Sequence, residues 1–338
     1  MRKTAFPLVL LTLLTLCGIL VSCGRKTESS GNAAASGPEA RKLLIAVIPK
    51  GMTHEFWKSV HAGAVQAGRE LGVEILWKGP QKEDDRAQQI TVVEDVISRG
   101  IDGIVLAPLD DRALIRPVDE AMKEKKPVVI IDSRLQGENF VSYVATDNYR
   151  GGILAADRLG EILGGKGKIF LIRYQEGSAS TMEREQGFLD TMKAKSPGVQ
   201  FLVQDQYTGA TTETAYQLVE NLLSRFPDVD GIFCPNESST FGALRALQES
   251  KLAGQVKFVG FDSSPKLVQA LRDGHLQGLI LQNPVKMGYL GVQTVVRHLR
   301  GEAIAKMIDT GVVCVTPETM DTPEHQALLN PDLSILDK

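Results

Sequence analysis

Ile101-Asp102-Gly103-Ile104-Val105-Leu106-Ala107-Pro108 decides the fold of this chain. From Gly103 to Ala107 the run holds no polar side chain, and Pro108 closes it. A strand with one wet face alternates apolar with polar residues. An unbroken aliphatic run instead suits a strand buried on both faces of a parallel sheet. Similar runs recur at residues 43–48, 73–76 and 128–131, then at 169–172, 201–203, 231–234 and 258–261. Segments of helical period separate them. Ile90, Val93, Val96 and Ile97 form one apolar face, and Gly100 stands where a left-handed residue would end that helix. Ser264-Pro265 before Leu267, Val268 and Leu271 reads as an N-cap followed by Pro at the first helical position. Strands alternating with helices predict doubly wound α/β layers.

The pattern is written twice. Ile101-Asp102-Gly103-Ile104-Val105 is echoed by Val229-Asp230-Gly231-Ile232-Phe233, and Ile131-Asp132-Ser133 by Phe261-Asp262-Ser263. Gly103 precedes Asp132 by 29 residues, and Gly231 precedes Asp262 by 31. The chain therefore reads as two lobes built on one plan. Its 338 residues, 43% hydrophobic and 23% charged, suit about two globular domains and exclude disordered, collagenous and multi-span membrane proteins. A net charge of −3 without a basic stripe argues against a nucleic-acid partner.

The first segment reads separately. Arg2 and Lys3 precede an uncharged, Leu-rich run that ends Leu20-Val21-Ser22-Cys23. A basic start, an apolar centre and small residues before a cut make a secretory signal over residues 1–22. The ending resembles a bacterial lipobox, in which Cys23 becomes the acylated first residue of the mature chain. An uncleaved anchor helix is the alternative, and both place the body outside the cytoplasm. Residues 23–41 lack large apolar side chains and read as a flexible tether. Cys17 would leave with the signal, while Cys234 and Cys314 sit in apolar, strand-like surroundings and read as buried thiols.

In open α/β sheets ligands bind beyond the carboxyl ends of the strands. Those ends carry Lys50 and the stretch through His54, Phe56 and Trp57, then Asp110, and then Asp132-Ser133-Arg134. The second half offers Asn236-Glu237, Asp262-Ser263-Ser264 and Gln282-Asn283. Facing lobes would aim all of these into one cleft. The inventory suits a polyhydroxylated ligand: Asp and Asn accept from hydroxyls, Arg donates through a planar fork, and an aromatic ring covers a sugar's C–H face. Adjacent Phe56 and Trp57 are not expected to share one inward face of a helix. Asp132 and Asp262 could serve as helix caps instead, and Arg184, inside Glu183-Arg184-Glu185, as a solvated charge.

In order along the chain, HEFWKSVHAGAVQAGRELG (54–72), IVLAPLD (104–110), VVIIDSR (128–134), VATDNYRGG (144–152), EREQGF (183–188), FCPNESSTFGALRAL (233–247) and VGFDSSP (259–265) resemble the type I periplasmic sugar-binding proteins. The similarity spans about residues 43–315. It implies two Rossmann-like lobes joined by three chain crossings, closing around a monosaccharide for an ABC importer. By position, Phe56 and Trp57 match the aromatic pair that flanks the sugar, and Asp132 the Asp ending the fourth strand. Arg184 matches the cleft Arg, and Asn236, Asp262 and Gln282 the polar residues of the second lobe and hinge. The ribose-specific member has Asn at the positions of Ala107 and His54 and Arg at that of Ser133. Arg134, one residue late, is a substitute for that Arg, although strand alternation would turn it the other way. These departures point away from ribose and leave a sugar or sugar-like polyol.

The expected organisation follows: an N-terminal lobe of residues 42–146 plus 283–310, and a C-terminal lobe of 147–282 plus 311–335. The crossings fall near Thr146-Asp147, 282–284 and 309–312. The partners expected are a small sugar and a membrane permease, with a lipid anchor as the only membrane attachment and the protein a monomer. No cofactor is expected. Gly164-Gly165-Lys166-Gly167-Lys168 lies between a helix and a strand and reads as a turn rather than a phosphate loop. No nucleophile elbow is present, and His54 and His61 are seven residues apart, about 10 Å on a helix, too far to share a metal ion. A receptor of the same fold signalling to a chemotaxis or kinase partner is the second reading. A glycoside hydrolase using Asp132 and Asp262 is the third.

Overall fold

The computed structural model describes residues 41–337. The expected signal segment, the Cys23 expected to carry a lipid and all but the end of the expected tether lie outside the described residues.

The first sheet forms from β1 (Leu44–Ile48), β2 (Glu74–Trp77), β3 (Gly103–Leu106), β4 (Val128–Ile131) and β5 (Ser142–Ala145), with α1 (Glu55–Leu71), α2 (Arg86–Ser98) and α3 (Ile115–Lys123) between the first four. Helix α4 (Asn148–Ile162) then opens a second series: β6 (Lys166–Leu171), α5 (Ala179–Lys195), β7 (Gly198–Val203), α6 (Thr212–Arg225), β8 (Gly231–Phe233), α7 (Glu237–Glu249), β9 (Lys257–Phe261), α8 (Pro265–Arg272) and β10 (Gly278–Leu281). Helix α9 (Pro284–Leu299) returns to the first sheet. The chain ends with β11 (Met307–Asp309), β12 (Val313–Val315), α10 (Pro323–Leu329) and one short 3₁₀ turn at Ser334–Asp337. The two six-stranded sheets have orders β11-β5-β4-β3-β1-β2 and β12-β10-β9-β8-β6-β7. All pairings are parallel except β10 with β12.

Why these runs make central strands is visible in burial. Ile45 and Val47 face one helical layer, Ala46 and Ile48 the other, and none is exposed. The second sheet repeats this with Phe170 and Ile172 against Ile169 and Leu171. Helix α2 starts at N-cap Asp85, whose side chain accepts from the Gln88 amide, and Gly100 follows its last turn at φ +72°. Ser264 caps α8 with Pro265 in its first turn. Four short strands are not among those runs: β10, which is apolar and buried throughout, and β5, β11 and β12. Of the last three, the first is polar at its start and the other two are three residues long. The Gly164–Lys168 stretch is a turn only at Gly164 and Gly165, because Lys166 already pairs with Gly198 in β6.

The chain passes between the sheets after β5, after β10 and between β11 and β12. These crossings touch: Thr146 and Thr310 hydroxyls lie 3.2 Å apart, and the Thr310 amide donates to the Ala145 carbonyl at 3.0 Å. In each half a helix pair crosses through glycines. A Cβ at Gly63 of α1 would stand 1.9 Å from the Val285 carbonyl oxygen, and one at Gly152 of α4 would stand 2.0 Å from that of Arg184. No helix among the described residues is long and apolar enough to cross a membrane. Cys234 and Cys314 are free thiols, the first buried and the second partly so.

Candidate ligand-binding cavity

The carboxyl ends of the two sheets face each other across a small cavity, about 30 Å³ in volume. From the first sheet come Lys50 after β1, Glu83 after β2, Asp132 after β4, and His54, Phe56 and Trp57 at the start of α1. From the second come Tyr174 after β6, Ser178, Ser180 and Arg184 around α5, Asn236 and Glu237 at the start of α7, Asp262 after β9 and Gln282 after β10. Asp132 and Asp262 occupy equivalent strand ends with φ of +61° and +67°. Asp tolerates this left-handed region better than most residues, because its short polar side chain bonds locally. Neither caps the helix that follows it, since β4 leads into a loop and Ser264 caps α8, but Asp262 Oδ2 accepts from the Glu237 amide at the start of α7 at 3.2 Å.

Arg184 is 2% exposed. Its Nε donates to Asn148 Oδ1 and its Nη1 to the Pro235 carbonyl, each at 2.9 Å, and its guanidinium lies 3.9 Å over the Phe261 ring. Gln282 Nε2 donates to Asp262 Oδ1 at 2.8 Å. Lys50 Nζ lies 2.8 Å from Asp132 Oδ2, donates to Ser180 Oγ at 3.0 Å and reaches Ser178 Oγ at 3.4 Å. The Ser180 amide donates to Ser133 Oγ at 3.0 Å. Direct bonds thus join the two halves around the cavity.

Charges inside are strongly coupled. Burial would push the His54 imidazole down, but the charge and hydrogen bond of Glu83, with Glu237 and Asp262 beyond, lift it to about 9. Burial would raise Glu83, yet His54, Lys50 and the Trp57 hydrogen bond hold it down at about 2. Burial lifts Glu237 to about 7 against the pull of His54 and the Phe56 amide. Asp262 is also raised by burial, with Arg184 and Gln282 opposing.

Four buried side-chain atoms among the described residues lack a hydrogen-bond partner, and three of them line this cavity: Asp132 Oδ2, Arg184 Nη2 and Gln282 Oε1. Asp132 Oδ2 has its ion pair with Lys50 but no directed hydrogen bond. An unpartnered buried polar group costs about 1–3 kcal/mol, so Arg184 Nη2 and Gln282 Oε1 mark where a ligand's polar groups would sit, next to the ion-paired Asp132.

Of the residues singled out in the sequence, His54, Phe56, Trp57, Asp132, Arg184, Asn236, Asp262 and Gln282 come together here. Phe56 and Trp57 line the cavity together, contrary to the expectation from helix faces. They lie in the first turn, where side chains lean past the helix start, and their rings meet edge to face at 4.9 Å. Asn236 contributes less freely than expected, because its Oδ1 caps α7 by accepting from the Ser239 amide. Arg134 does not belong to the set. Its side chain is half exposed, pairs with Glu183 at 3.4 Å and covers the Tyr143 ring, while Ser133 takes the inward place. Glu83, Tyr174, Ser178 and Ser180 were not singled out, and Lys50 and Glu237 were named among the strand-end residues without an assigned role. Lys50 and Glu237 follow strands in sequence, whereas Glu83 sits in the charged run Lys82-Glu83-Asp84-Asp85-Arg86 and carries no such signal. Among the described residues no group of His, Cys, Asp or Glu side chains is arranged to hold a metal ion.

Comparison with known proteins places this geometry. A family model described as a periplasmic binding protein domain matches residues 45–303. The ribose import binding protein RbsB of Salmonella typhimurium is 29% identical over 273 residues, covering 81% of this chain and 90% of that protein. The D-ribose/D-allose-binding protein of Pseudomonas aeruginosa is 29% identical over 297 residues, covering 86% and 91%. A carbohydrate transporter solute binding protein from Agrobacterium radiobacter, solved with D-arabinose, superposes with a TM-score of 0.83 at 35% identity, covering 86% of this chain and 99% of that one. An ABC transporter solute binding protein from Agrobacterium vitis with bound D-fucose gives 0.81 at 36%, covering 85% and 99%.

Proposed function

Because the chain belongs to the periplasmic binding protein domain family, we propose that it is an exported receptor that closes around one monosaccharide or similar polyol and delivers it to an ABC importer. The relatives named above are sugar-binding proteins of importers, and the two solved structures hold D-arabinose and D-fucose. The observation that carries the sugar reading is the pair of unpartnered atoms in the cavity, Arg184 Nη2 and Gln282 Oε1, with the Lys50-paired Asp132 Oδ2 beside them. Asp132 Oδ2 and Gln282 Oε1 accept and Arg184 Nη2 donates, and neighbouring hydroxyls, each both donor and acceptor, satisfy such a set. The rings of Phe56 and Trp57 offer an apolar wall to a C–H face.

Closure follows from where the groups stand. A ligand held by Asp132 on one side and by Arg184, Asp262 and Gln282 on the other contacts both halves only when they meet, so it selects the closed form. The lobes are residues 42–146 plus 283–310 and 147–282 plus 311–335, turning about the three crossings. Residues 1–22 act as an export signal and Cys23 carries the lipid, with residues 23–41 as tether. The ending Leu20-Val21-Ser22-Cys23 supports this reading.

A thermal-shift and calorimetric panel of D-ribose, D-arabinose, D-fucose, D-allose and acyclic polyols tests the proposal. A ligand that binds only the folded state raises its melting temperature. At least one neutral sugar should do so and should lose affinity in Arg184→Met. A flat response across the panel overturns the sugar reading.

A further inference from the structure

Glu83 stands in the loop between β2 and α2, amid charges that would suit a solvated surface, yet its side chain is only 6% exposed. Three groups converge on it. Oε1 accepts from the Trp57 indole Nε1–H at 2.5 Å and lies 2.6 Å from His54 Nδ1. Oε2 accepts from the Tyr174 hydroxyl at 2.7 Å. Trp57 and His54 line the cavity from the first half and Tyr174 from the second. Gly51 gives the carboxylate its room: a Cβ there would fall 2.8 Å from Glu83 Cγ. Three donors on one side chain suit a carboxylate, which only accepts. The amide of Gln would turn a donor towards at least one of them.

We propose that Glu83 is a positioning residue of the sugar site: it fixes the indole of Trp57 and holds His54 as an imidazolium whose Nε2–H donates to the ligand, an arrangement completed when Tyr174 closes onto it. This rests on the sugar-binding reading and deepens it. The groups that face His54 are Glu83 from its loop, Glu237 from α7 and Asp262 after β9, all acidic, with the cationic Lys50 acting on Glu83. They favour the charged ring, in keeping with its rise to about 9. A fixed cationic donor beside a fixed ring selects a ligand presenting an oxygen next to an apolar C–H face, and rejects an ammonium at that place.

The test has two arms. In ligand-free protein, NMR titration of His54 should give a midpoint near 9 in the native sequence and in Tyr174→Phe, falling towards the ordinary 6.5 in Glu83→Gln. Glu83→Asp keeps the charge and should hold the midpoint above 6.5. It also serves if Glu83→Gln fails to fold. An unchanged midpoint in Glu83→Gln overturns the proposal. The second arm measures affinity for the tightest-bound of D-arabinose, D-fucose and D-allose between about pH 6 and 8, the range around an ordinary imidazole. Native affinity should change only with the titration of Glu237 near 7, whereas Glu83→Gln should lose about tenfold beyond that shared change as its imidazole deprotonates. An equal loss at every pH means a purely structural role and overturns the proposal. Failure of the native protein to bind any of the three overturns the sugar reading instead, and the ligand-free titration still decides the role of Glu83.

Discussion

Glu237 Oε2 accepts a 3.0 Å hydrogen bond from the amide of Phe56, 181 residues away in the chain and in the other half of the molecule. Its Oε1 takes the neighbouring Glu55 amide at 3.2 Å. Helix α1 needs such a partner. Its N-cap residue, His54, makes no side-chain capping bond, and the first amides of a helix have no acceptor within it. Glu237 therefore caps from across the cavity a helix of the opposite half, and opening the molecule would uncap it.

Replacing Glu237 by Ala should loosen closure. Loss of an N-cap acceptor costs about 1 kcal/mol, here set against the closed form in particular. Small-angle scattering of ligand-free protein should show a larger radius of gyration in Glu237→Ala than in the native chain, with little change in helix content. Equal radii would remove the capping role.

Arg184→Met should be the most damaging single change in the cavity. It removes a charge-assisted donor from the ligand, worth roughly 10- to 100-fold in affinity. It also strands the Asn148 side-chain oxygen and the Pro235 carbonyl. Arg184→Lys keeps the charge but not the fork and should recover only part of the affinity. Calorimetry against the best sugar of the panel checks both.

At Asp262 the backbone separates two effects. Asn tolerates the left-handed φ of +67°, so Asp262→Asn should fold like the native chain while binding ligand more weakly. Asp262→Ala should also lose about 1 kcal/mol of stability, because a Cβ without a local polar bond is strained there. Urea unfolding of the two variants distinguishes stability from affinity. Equal midpoints would refute the strain.

Gly152→Ala should unseat Arg184 without touching the cavity. Its Cβ would fall 2.0 Å from the Arg184 carbonyl oxygen, so α4 and α5 must separate. Overpacking of this kind costs about 1–3 kcal/mol. Both melting temperature and sugar affinity should fall, and a variant with native affinity would show that α5 tolerates the shift.

Stability should depend on pH through the same cluster. The raised imidazole of His54 contributes fully below 6.5 and is lost as pH climbs through about 9. The depressed carboxyl of Glu83 contributes above 4.5 and is lost as pH falls through about 2. Glu237, raised to about 7, binds its proton more tightly when folded and so removes stability as pH rises from 4.5 through 7. The melting temperature should therefore be highest near pH 4.5, decline through pH 7 as Glu237 ionises and continue down towards pH 9, and the part of the decline above pH 7 should be absent in His54→Gln.

Much of this was legible in the sequence because burial on both faces of a sheet leaves a local signature. The aliphatic runs at Ile104-Val105 and Ile232-Phe233 mark central strands, and a cap such as Ser264-Pro265 is written in adjacent residues. The repeat Asp132/Asp262 announced two equivalent strand ends, and the topology rule for open sheets turned those ends into a candidate cleft. Arg134 went astray because one position beyond a strand reverses the side a residue faces, as its pairing with Glu183 outside the cavity shows.

By itself, then, the sequence determined the buried central strands, the helices between them, the two-fold plan and the residues that end those strands, since each depends on neighbours within a few positions. Only the tertiary structure decided that Lys50 would meet Asp132 and Ser180, that Glu83 would leave its charged run to hold Trp57, His54 and Tyr174, and that Glu237 would cap a helix in the other half. Those pairings join residues up to 182 positions apart. A buried carboxylate and a solvated one are the same letter until the partners that compensate its lost hydration are brought beside it.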